Sequence, residues 1–134
     1  MVGSPLIDNG LVYYVGSQGI LRVADALTGK MVYEKNLPLS LSQASSFSAG
    51  VAASLVKAGG NIYVFDNNGT SVIFATGREY KQIAVNRIQN VDKDSLNQEV
   101  FESTPVFDGT RMFLRGTRTL YCISAQDAVK RSSN

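Results

Sequence analysis

The sequence predicts an all-β fold in which one antiparallel sheet module is used three times, and three observations predict it. Three stretches align without a gap, starting at Ser4, Ser54 and Thr104, so the repeat is 50 residues long. Inside them sit short aromatic and β-branched runs, LVYYV, NIYVF and RMFLR, each bounded by Gly, Asn or Asp. No segment long enough for a capped helix carries an apolar stripe of helical period. The columns agree in chemistry. Tyr13, Tyr63 and Phe113 share one, Val12, Ile62 and Met112 the one before it, and Val23, Ile73 and Ile123 another. Arg22, Val72 and Cys122 do not match one another.

Taken in order, the first unit reads as strands at 4–7, 11–15, 20–24 and 30–35. Asn9-Gly10 turns the chain after the first, GSQG after the second, and Thr28-Gly29-Lys30 after the third. Gly and Asn tolerate the positive φ that such tight connections require. The second unit repeats the pattern at 53–57, 61–65, 71–75 and 80–86, with turns GG and DNNG. The third has strands at 103–107, 111–115 and 119–124, with DG and GTRT between them, and its fourth strand is missing. Residues 125–134, AQDAVKRSSN, read as a polar tail. Four antiparallel strands per repeat is the blade of a β-propeller. The expected architecture is therefore a segment of about three four-stranded antiparallel blades, at about 3–50, 51–100 and 101–124, forming one partial domain over 1–124.

Composition excludes several functions. The chain has 134 residues, 44% hydrophobic and 18% charged, with a net charge of +2. That balance leaves no basic footprint for nucleic acid. No apolar run approaches the ~20 residues of a membrane-spanning helix, and MVGSPLIDNG has no signal-peptide pattern. With no His, a Ser-His-Asp or Cys-His system cannot form within the chain. One Cys makes neither an internal disulfide nor a thiolate cluster for zinc. Phosphate-cradling glycine loops are absent.

The stretch VADALTGKMVYE resembles the signature of the PQQ-like (quinoprotein alcohol dehydrogenase-like) propeller repeat. Asp25, Thr28, Gly29 and Lys30 match it, and Tyr33 stands where that family usually has Trp. Asp25 suits a turn cap, Gly29 a left-handed residue, and the aromatic a place between blades. ATGREYKQIAVNRI is similar to a degenerate form of the same hairpin, and STPVFDGTRMFLRGTRTLYCIS to the closing strands of such chains. The resemblance implies a bacterial, secreted or periplasmic protein. Noncatalytic members include a lipoprotein that helps assemble bacterial outer-membrane proteins. Quinoprotein dehydrogenases of this type stack their cofactor on Trp, ligate calcium with Glu, Asn and Asp, and carry an adjacent cysteine pair. Nothing here matches that set, so no catalytic, cofactor or metal residue is assigned and no cofactor is expected.

An open stack of three blades leaves apolar faces and an unpaired strand edge. The expected partners are the remaining blades of a larger propeller, or further copies of this chain. Ligands of propellers gather where the fourth-to-first loops and second-to-third turns meet. The long loops are 36–50 and 87–100, and long loops on a rigid scaffold tend to carry function. Candidate ligand-face residues are Gln43, Ser45, Ser46, Asn67, Arg87, Arg115 and Arg118. Arg115 and Arg118 straddle a turn and can grip a carboxylate or phosphate, although two solvated arginines at a hairpin are the favoured reading. The turn 66–69 lacks the downstream acidic ligand of a calcium loop, Asp92 and Asp94 read as solvated charges, and Cys122 is expected to be buried as a small apolar residue. Three functions stay open: a noncatalytic binding or scaffold segment for a protein ligand, the closing blades of a quinoprotein-like dehydrogenase, and a carbohydrate- or matrix-binding module.

Overall fold

The computed structural model describes residues 3–40, 50–88 and 99–125. Among them run eleven strands and no helix. Blade 1 comprises β1 (Leu6–Asp8), β2 (Leu11–Val15), β3 (Ile20–Asp25) and β4 (Met31–Asn36). Blade 2 comprises β5 (Val56–Ala58), β6 (Asn61–Phe65), β7 (Thr70–Ala75) and β8 (Gln82–Arg87). Blade 3 has β9 (Val106–Asp108), β10 (Arg111–Arg115) and β11 (Leu120–Ser124). Each sheet is an antiparallel meander in chain order, of four, four and three strands. The all-β, three-blade reading with a three-stranded last blade therefore holds.

The innermost strands begin later than the sequence indicates. Pro5 and Pro105 have no N–H to give a ladder, and the residues before them are used differently. The Ser4 N–H donates to Ser54 Oγ at 2.9 Å, and the Ser54 N–H donates to Thr104 Oγ1 at 3.1 Å. One residue per repeat thus links blade to blade instead of strand to strand.

Side-chain alternation along the strands then builds two interfaces. Leu11, Tyr13, Val15, Leu21 and Val23 of blade 1 pack with Ile62, Val64, Val72 and Phe74 of blade 2. The opposite face of blade 2 supplies Phe65, which joins Phe101 and Leu114, with Tyr63, Met112 and Tyr121 packed around them. Phe101 lies 5.6 Å from Tyr121, and Tyr63 4.8 Å from Phe107, between ring centroids. The outward faces of the end blades have no such cover: Ile7 is 69% exposed, Val106 63% and Leu120 67%.

Asp25 caps its hairpin as expected. Its Oδ1 accepts from the N–H groups of Leu27 and Thr28, each at 3.0 Å, and from Thr28 Oγ1 at 3.2 Å. Those bonds, the Thr28 one foremost, hold the carboxyl below its ordinary value. Gly29 takes φ +70°. Blade 2 departs here. Its hairpin closes from the Ala75 N–H to the Lys81 carbonyl, one residue longer than Asp25 to Lys30 in blade 1. Thr76-Gly77-Arg78 also sits two places ahead of the positions that match Thr28-Gly29-Lys30. Gly77 instead reaches across to blade 1, where its N–H donates to the Tyr13 hydroxyl at 2.8 Å.

Two expectations are corrected in blade 3. Its second turn closes from the Gly116 N–H to the Thr119 carbonyl, one residue shorter than Gly16 to Ile20 or Asp66 to Thr70. Phe113 therefore faces Cys122, whereas Tyr13 faces Val23 and Tyr63 faces Ile73. Cys122, not Ile123, shares the column of Val23 and Ile73. Cys122 is also exposed rather than buried, because β11 is the last strand of its sheet.

Tyr33 does pack between blades, edge-on to Tyr80 at 6.4 Å. Its buried hydroxyl meets no hydrogen-bond partner, and burial, then the neighbouring Tyr13 and Tyr80, pushes its pKa up to about 12. Two tyrosines of one interface should thus respond oppositely to loss of their hydroxyls. Tyr13→Phe should lower stability by about 1 kcal/mol, the net worth of one hydrogen bond. Tyr33→Phe should leave stability unchanged or raise it, since a buried unpartnered hydroxyl is removed. Thermal melts of both variants check this; a larger loss in Tyr33→Phe than in Tyr13→Phe would contradict the assignment.

Candidate functional site

The expected ligand face is assembled from turns and incoming segments that share backbone bonds. The Asn67 N–H donates to the Gly50 carbonyl at 2.9 Å, and the Val51 N–H to the Ser17 carbonyl at 3.2 Å. Residues 50 and 51 are therefore clipped between the second-to-third turns of blades 1 and 2. Gly50 has φ +124°, and a Cβ there would fall 2.3 Å from the Ser17 carbonyl oxygen, so only glycine lets the chain pass. One repeat later the Phe101 N–H donates to the Asn67 carbonyl at 3.0 Å, and the Val100 N–H to Thr117 Oγ1 at 3.4 Å.

Two buried carboxylates hold these turns. Asp66, fully buried, opens the blade 2 turn. Its Oδ1 accepts from the N–H groups of Asn68 and Thr70 at 2.9 and 2.8 Å, and its Oδ2 from the Ser40 N–H at 2.8 Å. The Asn68 side-chain amide donates in turn to the Ser40 carbonyl. Burial nonetheless pushes the Asp66 carboxyl above its ordinary value of 3.8, the backbone bonds offsetting only part. Glu99 comes from the segment entering blade 3. Its carboxylate accepts from the Arg118 N–H at 3.1 and 3.2 Å and from Thr117 Oγ1 at 3.3 Å. Burial raises its pKa, but the Arg118 N–H and the Thr119 and Thr117 hydroxyls together pull it below the ordinary 4.5. Sequence reading of the third turn concentrated on its arginines and missed Glu99. The signal for it was the glycine at 116, where the preceding blade has Asp66.

The proposed ligand-face residues lie as follows. Gln43, Ser45 and Ser46 fall outside the described residues, as do Asp92 and Asp94. Asn67 is 5% exposed and ties two segments through its backbone. Arg115 is exposed at the end of β10, beside an open pocket of about 350 Å³ with Val100, Glu102, Ser103, Gly116 and Thr117. Its carbonyl accepts from Ser103 Oγ at 2.7 Å. Arg118 engages Glu99 through its backbone N–H. Arg87, at the end of β8, borders a separate crevice of about 520 Å³ between blades 2 and 3, lined by Tyr63, Phe107, Met112 and Ile123. The structure thus places Asn67, Arg115 and Arg118 around neighbouring turns and sets Arg87 in the interblade crevice.

A quinone with calcium, the group implied by the resemblance, does not fit these residues. The chain has no Trp to stack on it. The two buried carboxylates are already engaged by backbone N–H groups. Among the described residues no group of three or more His, Cys, Asp or Glu is placed to hold a metal ion, and no helix is long and apolar enough to cross a membrane.

The two carboxylates should titrate in opposite directions from their ordinary values. Glu99, with its lowered pKa, stabilises the fold above the unfolded-state value, and that contribution is lost as pH falls through the folded one. Asp66, with its raised pKa, does the reverse: the fold is favoured at low pH and loses that advantage as Asp66 ionises. In an acid titration followed by amide chemical shifts, the Asn68 N–H should respond above 3.8 and the Arg118 N–H below 4.5. Glu99→Gln should abolish the Arg118 response and leave that of Asn68. A persisting Arg118 response would show that Glu99 is not its acceptor in solution.

No family model matches the sequence, and no curated protein sequence matches it. Solved structures match the fold. BamB from Moraxella catarrhalis aligns with a TM-score of 0.68 at 13% identity, over 90% of this chain and 36% of that one. The quinohemoprotein alcohol dehydrogenase from Comamonas testosteroni aligns with a TM-score of 0.66 at 14% identity, over 87% of this chain and 17% of that one. The N-terminal domain of Nup159 gives 0.60 at 12% identity, over 94% and 35%. The chain therefore spans well under half of each of these proteins. Its three blades have the β-propeller fold seen in BamB and in the quinohemoprotein alcohol dehydrogenases.

Proposed function

We propose that this chain is a noncatalytic binding or scaffold segment of a larger β-propeller, its blades forming one partial domain over residues 1–124. One observation carries this reading: the end blades present exposed apolar side chains on their outward faces. Val106 and Leu120 of blade 3 and Ile7 of blade 1 are more than half exposed. The inner faces of the same sheets are closed by Tyr13 and Val23 in blade 1 and Leu114 in blade 3. Water contact over such faces is unfavourable in proportion to the apolar area. The small share of BamB and of the dehydrogenase that the chain spans supports the same conclusion.

Binding is favoured over catalysis because the polar groups of the loop face are spent on structure. Asp66 and Glu99, its two buried carboxylates, are held by main-chain N–H groups. Arg115 beside its open pocket and Arg87 in the interblade crevice remain as exposed cations on which an acidic ligand can land.

Light scattering on the purified chain tests this. It should elute above its 14.5 kDa or self-associate with concentration, and Val106→Lys with Leu120→Lys should reduce that association by charging the blade 3 face. A folded monomer that ignores both substitutions would refute the reading.

A further inference from the structure

The three second-to-third turns begin at Gly16, Asp66 and Gly116, positions that share one column of the repeat. Each presents a main-chain N–H two residues later, on Gln18, Asn68 and Arg118. In blade 2 the Asn68 N–H is met by the turn's own first residue, at 2.9 Å from Asp66 Oδ1. In blade 3 the first residue of the turn is Gly116, with no side chain to offer, and Glu99 arrives from the incoming segment, 3.1 Å from the Arg118 nitrogen. A Cβ built on Gly116 would lie 2.0 Å from Glu99 Oε2, so the incoming carboxylate occupies the space that a side chain at 116 would need. The exchange is reciprocal in sequence: Asp66 goes with Ala49 in the incoming segment, and Gly116 with Glu99.

Blade 1 has one half of this arrangement. Its turn begins with glycine, as in blade 3, and a Cβ on Gly16 would meet nothing within 4 Å. Gln18 is exposed, and among the described residues its N–H meets no acceptor. The far side of the same turn is already engaged, the Ser17 carbonyl accepting from Val51. In register, the residue matching Glu99 falls two places ahead of Met1.

We infer that the turn at 16–19 is a carboxylate-receiving site, filled by a Glu on an extended segment of a flanking blade laid across it as residues 99–101 lie across blade 3. The inference rests on the larger-propeller reading and names the chemistry of the contact: an anionic oxygen on the Gln18 N–H, a charge-assisted bond stronger than one between neutral groups. The segment carries its Glu two residues ahead of an apolar side chain, as Glu99 precedes Phe101.

The test grafts a copy of residues 95–100 ahead of Met1 in the full chain, once with its glutamate and once with glutamine in its place. With glutamate, the Gln18 N–H should exchange with solvent about tenfold more slowly than with glutamine, the scale of one such bond, and the thermal midpoint should be higher. Gly16→Asp, in the ungrafted chain, should protect the same N–H, and in the grafted chains it should erase the difference between glutamate and glutamine. Equal Gln18 exchange in the two grafts overturns the inference. This outcome is separate from the light-scattering result: equal exchange in a chain that still associates removes the carboxylate site alone.

Discussion

Main-chain N–H groups that no sheet ladder can satisfy set the form of this molecule. Each blade has them at two places, at the residue before the innermost strand and at the second-to-third turn. A buried or half-buried N–H left alone is costly, and the acceptors are the hydroxyls of Ser54 and Thr104 at the inner edge and, at the turns, the carboxylate of Asp66 from within its turn, that of Glu99 from the incoming segment and the carbonyl of Gly50. Apolar packing brings the sheets together, but it is non-directional. These polar links fix how one blade is set against the next.

Much of the fold was legible because its signals are local. Turn residues and strand alternation located nine of the eleven strands to within two residues at each end. The innermost strands were set too early because their first residues look like strand yet bond to the next blade. An ungapped repeat also concealed length changes within the units. The outer hairpin of blade 2 is one residue longer than that of blade 1, and the turn of blade 3 one shorter, so the column containing Cys122 could only be placed once the pairing was known. Cys122 followed the rule for small apolar residues on a strand, but the rule presumes a covered face, and β11 closes an incomplete sheet.

The site was legible only in outline. That the turns and incoming segments share a face follows from the topology. The role of Glu99 does not, because it depends on an empty position elsewhere, Gly116, and on a contact between residues far apart in sequence. The arginines drew attention by their charge, whereas in Arg118 it is the backbone that holds the carboxylate. The same lesson applies to Asn67, whose main chain joins the segments before and after blade 2.

The inner-edge bonds have a direction. In both, the amide belongs to the earlier blade and the hydroxyl to the later one. A row built this way is vectorial: it ends in an oxygen at Ser4 and in a hydrogen at Thr104, so whatever extends it must join head to tail. Face-to-face pairing about a twofold axis between equivalent blades would set like poles together. Closure into a ring, with all blades circulating in one sense, is the arrangement that leaves neither pole over.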